Sequence, residues 1–110
     1  MDKKEALQAV KTALIRYNDE IKLDAVNVRA FYLKWDDEFE NWVVTTIFVL
    51  DDISRAEDMD FVDAYCSRSG AALEEICAFT YCTFRSEEQY IEEFSNKSWI
   101  YELMDLECAA

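Results

Sequence analysis

The run Trp42-Val43-Val44-Thr45-Thr46-Ile47-Phe48-Val49-Leu50 constrains this chain more than any other stretch. It is rich in β-branched and aromatic residues, which suit a pleated, packed surface. It is apolar on both faces, so a strand here must be covered on both sides and belongs in the interior of a sheet. Residues 25–35, from Ala25 to Trp35, have a similar composition but alternate better, and they carry Asn27, Arg29 and Lys34. Between the two lies the acidic stretch Asp36-Asp37-Glu38-Phe39-Glu40-Asn41. A β-hairpin with a six-residue loop is expected.

Helical periodicity flanks this pair. Over residues 3–22, Leu7, Val10, Leu14, Tyr17 and Ile21 recur at steps of three and four and form one apolar stripe. The stripe suits a helix packed on a sheet and is too short and mixed for a dimerising coiled coil. Ser54-Arg55-Ala56-Glu57 reads as a capping box, predicting a helix over 55–69. Its stripe would be Met59, Val62 and Cys66, with Phe61 and Tyr65 beside it. Gly70, the only glycine, is expected to stop that helix in the left-handed conformation.

Residues 75–85 predict a third strand. Ile76, Ala78, Thr80, Cys82 and Phe84 would face one way, and Cys77, Phe79, Tyr81, Thr83 and Arg85 the other. A helix between two strands implies a crossover that leaves them parallel. A second capping box, Ser86-Glu87-Glu88-Gln89, opens a helix through Tyr90, Ile91 and Phe94. Ser95-Asn96-Lys97-Ser98 breaks it, and a last short helix is expected over Trp99, Ile100, Leu103 and Met104. With no proline and one glycine there is no linker, so residues 1–110 read as one domain. The expected fold is α+β, in the order α-β-β-α-β-α. Its three-stranded mixed sheet, a hairpin plus a crossover strand, packs against helices.

Charge and composition exclude several functions. There are 24 acidic residues, 11 basic residues and no histidine, for a net charge of −13. Mechanisms that need an imidazole are out of reach. Direct binding to DNA or RNA is not expected, because Lys and Arg on phosphates dominate that affinity. No segment has the roughly 18 consecutive apolar residues of a membrane span. The start, Met1-Asp2-Lys3-Lys4-Glu5, opens a charged amphipathic pattern rather than a secretion signal, so a cytoplasmic protein is expected. Cys66, Cys77, Cys82 and Cys108 form no C-x-x-C pair and read as buried free thiols.

Asp51-Asp52, Asp58 and Asp60 cluster after the apolar run, where a divalent cation could be held by carboxylates. Helix N-termini favour acids in any case, so no metal site is assigned. No glycine-rich phosphate cradle exists and no cofactor is implied. The element order is similar to that of the minimal nucleotidyltransferase core. That family carries a Gly-Ser pair after its first strand and an Asp-x-Asp pair on its second. Here the first strand has no Gly-Ser and the second ends at Asp51-Asp52, so the resemblance implies a divergent or inactive domain.

The remaining signal is an uneven charge. Residues 1–34 hold seven basic and five acidic residues, a net of +2, whereas residues 35–110 hold four and nineteen, a net of −15. Solubility needs much less charge than that, and so strong a field steers association with cationic partners. In size, acidity and lack of histidine the chain is similar to DNA mimics, anti-CRISPR proteins and nuclease-immunity proteins. The expected function is non-enzymatic: an acidic protein that blocks a basic, nucleic-acid-handling protein. The candidate contact residues are Asp36, Asp37, Glu38 and Glu40 in the hairpin loop, and Glu87, Glu88, Glu92 and Glu93 on the late helix. One alternative is a divergent or inactive nucleotidyltransferase-like domain using Asp51, Asp52, Asp58 or Asp60 on a divalent metal. The other is a structural adaptor or homo-oligomer, such as a homodimer, with the basic first helix of one copy meeting the acidic half of another.

Overall fold

A computed structural model describes residues 2–20, 26–77 and 79–103. In it the apolar run forms most of β2 (Asn41–Leu50), with a strand on either side. β1 (Val28–Asp36) pairs with it antiparallel, and β3 (Phe79–Ser86) pairs with it parallel. A fourth strand, β4 (Tyr101–Glu102), adds antiparallel to the far side of β1. The order is β3-β2-β1-β4, so the mixed sheet has four strands rather than the three expected.

Two helices cover one face. α1 (Lys3–Glu20) contributes Ala6, Val10, Leu14 and Tyr17, and α2 (Met59–Leu73) contributes Tyr65 and Leu73. They close over Phe31, Val44 and Phe48 of the sheet. Phe48 is fully buried, with the rings of Tyr17, Tyr65 and Phe84 within 6.5, 5.7 and 5.1 Å. α3 (Glu87–Glu93) lies on the opposite face, where Tyr90, Phe94 and Ile100 cover Ala30 and Ile47. Ile47 and Phe48 therefore serve two different cores, which is what a strand apolar on both faces requires.

Several local expectations are corrected. The hairpin loop has four residues, because Asp36 and Asn41 pair as the last rung of the ladder. Asp52 caps a 3-10 turn (Ile53–Glu57) and Asp58 caps α2, so Ser54 caps neither element. Helix α2 buries Tyr65, Ser69 and Leu73 at four-residue spacing, while Met59 stays 66% exposed. Gly70 does not stop the helix, which continues to Leu73, and it has no positive φ. It sits where α2 approaches β3: a Cβ added there would lie 3.1 Å from the Thr80 hydroxyl. β3 begins at Phe79, since residues 74–76 form a turn.

The expected last helix is interrupted by β4 at Tyr101–Glu102, while Leu103 is helical. Ile100 enters the core under α3, Tyr101 stacks on Phe31 at 5.5 Å, and Leu103 joins the core under α1 and α2. That is a period of two, which a short apolar run does not distinguish from a helical turn. The second capping box is present in full: Gln89 N–H donates to Ser86 Oγ, and Ser86 N–H donates to Gln89 Oε1. The expected helix end at Ile21 and Lys22, the strand start at Ala25, and Ala78, Met104 and Cys108 lie outside the described residues.

Candidate partner-binding surface

The hairpin turn is built by Asp36. Its carboxylate accepts from the backbone N–H of Glu38 at 2.9 Å and of Phe39 at 3.2 Å, as a short acidic side chain does at a turn. Glu40 takes a left-handed φ of 51° to bring the chain back. Asp36 is thus half-buried and engaged by the backbone, while Asp37, Glu38 and Glu40 stay exposed.

The four acids of α3 divide into two pairs. Between Val28 and Ala30 the register of β1 against β2 slips by one residue, a bulge centred on Arg29. Val28 faces the α1–α2 core and Ala30 the α3 core. The Arg29 guanidinium lies over the Tyr90 ring, 5.2 Å from its centroid. It donates to both carboxylate oxygens of Glu87, at 3.1 and 2.8 Å. These bonds hold the Glu87 carboxyl below its usual range and raise Arg29. Arg85 pairs with Glu93 through one hydrogen bond, Nε to Oε2 at 3.0 Å, and its guanidinium lies over Phe94. Glu88 and Glu92 are exposed and form no ion pair among the described residues.

The structure does not bring the two predicted acidic groups together. β2 runs from the hairpin turn at Asn41 to Leu50, where it meets the end of β3 at Ser86. Ten residues at ~3.3 Å each separate the turn from the start of α3 by about 30 Å. What the structure joins instead is α3 and the segment after β2. Asp52, Glu57, Gln89 and Glu93, with Phe84 and Arg85, line an open concavity of about 620 Å³. Parallel pairing places the ends of β2 and β3 side by side, so the segments that follow them must meet. Asp52 and Glu57 therefore belong to the same acidic end of the molecule as α3.

Two of the carboxylates considered for a metal, Asp52 and Asp58, are engaged by their own turns. Asp52 accepts from Ser54 N–H at 3.0 Å and from its hydroxyl at 2.6 Å, and these bonds hold its carboxyl below the usual range. Asp58 accepts from the N–H of Asp60 and of Phe61. Among the described residues no three His, Cys, Asp or Glu are grouped to hold an ion. A larger groove, about 990 Å³, runs between α1 and α2. Leu7, Ala9, Ala13 and Ala72 line it with Lys4 and Glu75, and no nucleophile is paired with a base there.

Cys66, Cys77 and Cys82 are free thiols. Burial pushes the Cys66 thiol up to about 12, assisted by a hydrogen bond with Cys82, and the Cys77 thiol up to about 11. No helix among the described residues is long and apolar enough to cross a membrane.

The electrostatic balance is lopsided. Among the described residues the ion pairs are Arg29–Glu87 and Arg85–Glu93. Arg55 and Arg68 lie instead over the rings of Phe61 and Tyr65. Little of the acidic surface is therefore neutralised from within the fold. No protein-family model matches the sequence, and no curated protein matches it significantly.

Proposed function

We propose that this protein is a small, non-enzymatic acidic binding protein that occupies and blocks the basic groove of a nucleic-acid-handling partner. The observation that carries the reading is the uncompensated charge: a net of −13, with two ion pairs among the described residues. Glu88 and Glu92 on α3, with Asp52 and Glu57 beside the adjacent concavity, form the principal contact surface. Asp37, Glu38 and Glu40 at the hairpin turn form a second one about 30 Å away. Two separated acidic surfaces suit an extended basic groove better than a single cationic pocket. The field steers encounter, and displaced counterions add to affinity at low salt.

The test is affinity capture with tagged protein from native lysate, at low and at moderate salt, followed by mass spectrometry. The reading expects one basic, nucleic-acid-handling protein that is released by salt and by competing duplex DNA or RNA. Retention of a partner that neither salt nor nucleic acid displaces would count against it. So would a salt-dependent rise in molecular mass without any partner, the signature of α1 meeting the acidic half of a second copy.

A further inference from the structure

We propose that the free edge of β3 takes up an extended, lysine- or arginine-bearing segment of the partner as a fifth strand of the sheet. This deepens the reading of an acidic protein with a basic partner and rests on it. β3 ends the sheet, and all eight of its residues are in register with β2 on one side. Among the described residues no strand pairs with it on the other. Every second residue of such a strand turns its N–H and C=O outward, a ready template for another chain. The usual guards of an exposed edge are missing, for β3 holds no proline, no lysine and no bulge. Its one cation, Arg85, is held by Glu93, Thr83 Oγ1 and the Phe84 carbonyl.

The side chains on the open face beside this edge are also unusual for a surface. Phe79 is 43% and Tyr81 57% exposed, and Phe39 from the hairpin turn, 52% exposed, stacks edge-on to Phe79 at 4.8 Å. α3 covers only the other end of that face, over Ala30 and Ile47. Charge chooses the occupant. Glu74 and Glu75 precede the strand, and Asp52 and Glu57 lie at its end. A second copy docking edge to edge would bring together two chains of net −13. A basic segment instead neutralises the acids at both ends. Its aliphatic stems can cover Phe79 and Tyr81, and its cations can sit over their rings.

The probe is a fluorescent octapeptide of alternating lysine and valine, compared with the same peptide carrying N-methyl groups on alternate backbone amides. Both have the same charge, and only the first can complete a ladder. The full chain is expected to bind the first at low salt and the methylated one at least about tenfold more weakly. Hydrogen exchange should show new protection at the β3 amides, and F79K/Y81K, which alters two exposed positions, should remove the binding. Equal affinity for the two peptides, protection at α3 or the hairpin turn in place of β3, or no binding would overturn the proposal. Any of these would leave the acidic-inhibitor reading standing wherever capture had yielded a partner displaced by nucleic acid. Edge docking of the peptide without such a partner would reject that reading alone.

Discussion

Gly70 offers a quantitative test of how α2 is seated on β3. It lies inside a helix, where glycine costs about 1 kcal/mol relative to alanine. Its backbone has no positive φ, so alanine suits the conformation. Opposing this, the new Cβ would stand 3.1 Å from Thr80 Oγ1, with nothing else crowding it. Contact at that distance forces the hydroxyl to shift and offsets the gain in propensity. G70A alone should therefore change stability by less than about 0.3 kcal/mol, well inside the propensity gain. In a T80A background, which removes the hydroxyl but keeps Cβ, the same change should stabilise by about 1 kcal/mol, near 4 °C in Tm. T80S retains the oxygen and should behave like wild type. Urea denaturation of the four proteins of the cycle measures the coupling directly. Equal effects of G70A in the two backgrounds would refute the close approach of helix and strand.

Other outcomes follow from the same structure. F48A empties a site enclosed by three aromatic rings and should cost about 3–5 kcal/mol in denaturant unfolding, with the acidic surface unchanged. E87Q breaks an exposed bidentate pair and should cost about 0.5 kcal/mol at neutral pH. Because the folded state holds the Glu87 carboxyl low, that contribution is complete above the carboxylate range and is lost as pH falls through it. Thermal melts of wild type and variant should accordingly converge under acid conditions. Alkylation at pH 8 followed by peptide mapping should leave Cys66 and Cys77 unmodified until denaturant is added, as their raised thiols require.

Where residue type and burial agreed, the fold was legible in the sequence. Residues 42–50 could only be an interior strand, and the Ser86–Gln89 box marked the start of α3 without ambiguity. Legibility failed where a residue had two physical roles. Gly70 reads as a helix stop, yet the structure uses its missing side chain for a close approach. Ser69 hid the buried stripe of α2, because its hydroxyl satisfies itself on the Tyr65 carbonyl at 2.8 Å and so tolerates the core. Tyr101 and Glu102 follow a two-residue period too short to recognise.

For the candidate surface, the sequence marked the acids but not their neighbours. Nothing local predicts that Arg29 and Arg85 neutralise Glu87 and Glu93, since these contacts depend on a bulge and on tertiary packing. Nor does adjacency in the chain place Glu57 beside Gln89. That follows only once β2 and β3 are parallel and end together.

The most direct measurement is the association rate of the captured partner as a function of ionic strength, for wild type and for the E88K/E92K variant. Both changes are at exposed positions with no ion pair among the described residues, so the fold should tolerate them. If the acidic surface drives binding, the variant should associate about tenfold more slowly at low salt, with a flatter salt dependence. Identical rates and slopes for the two proteins would show that these acids only solvate the fold.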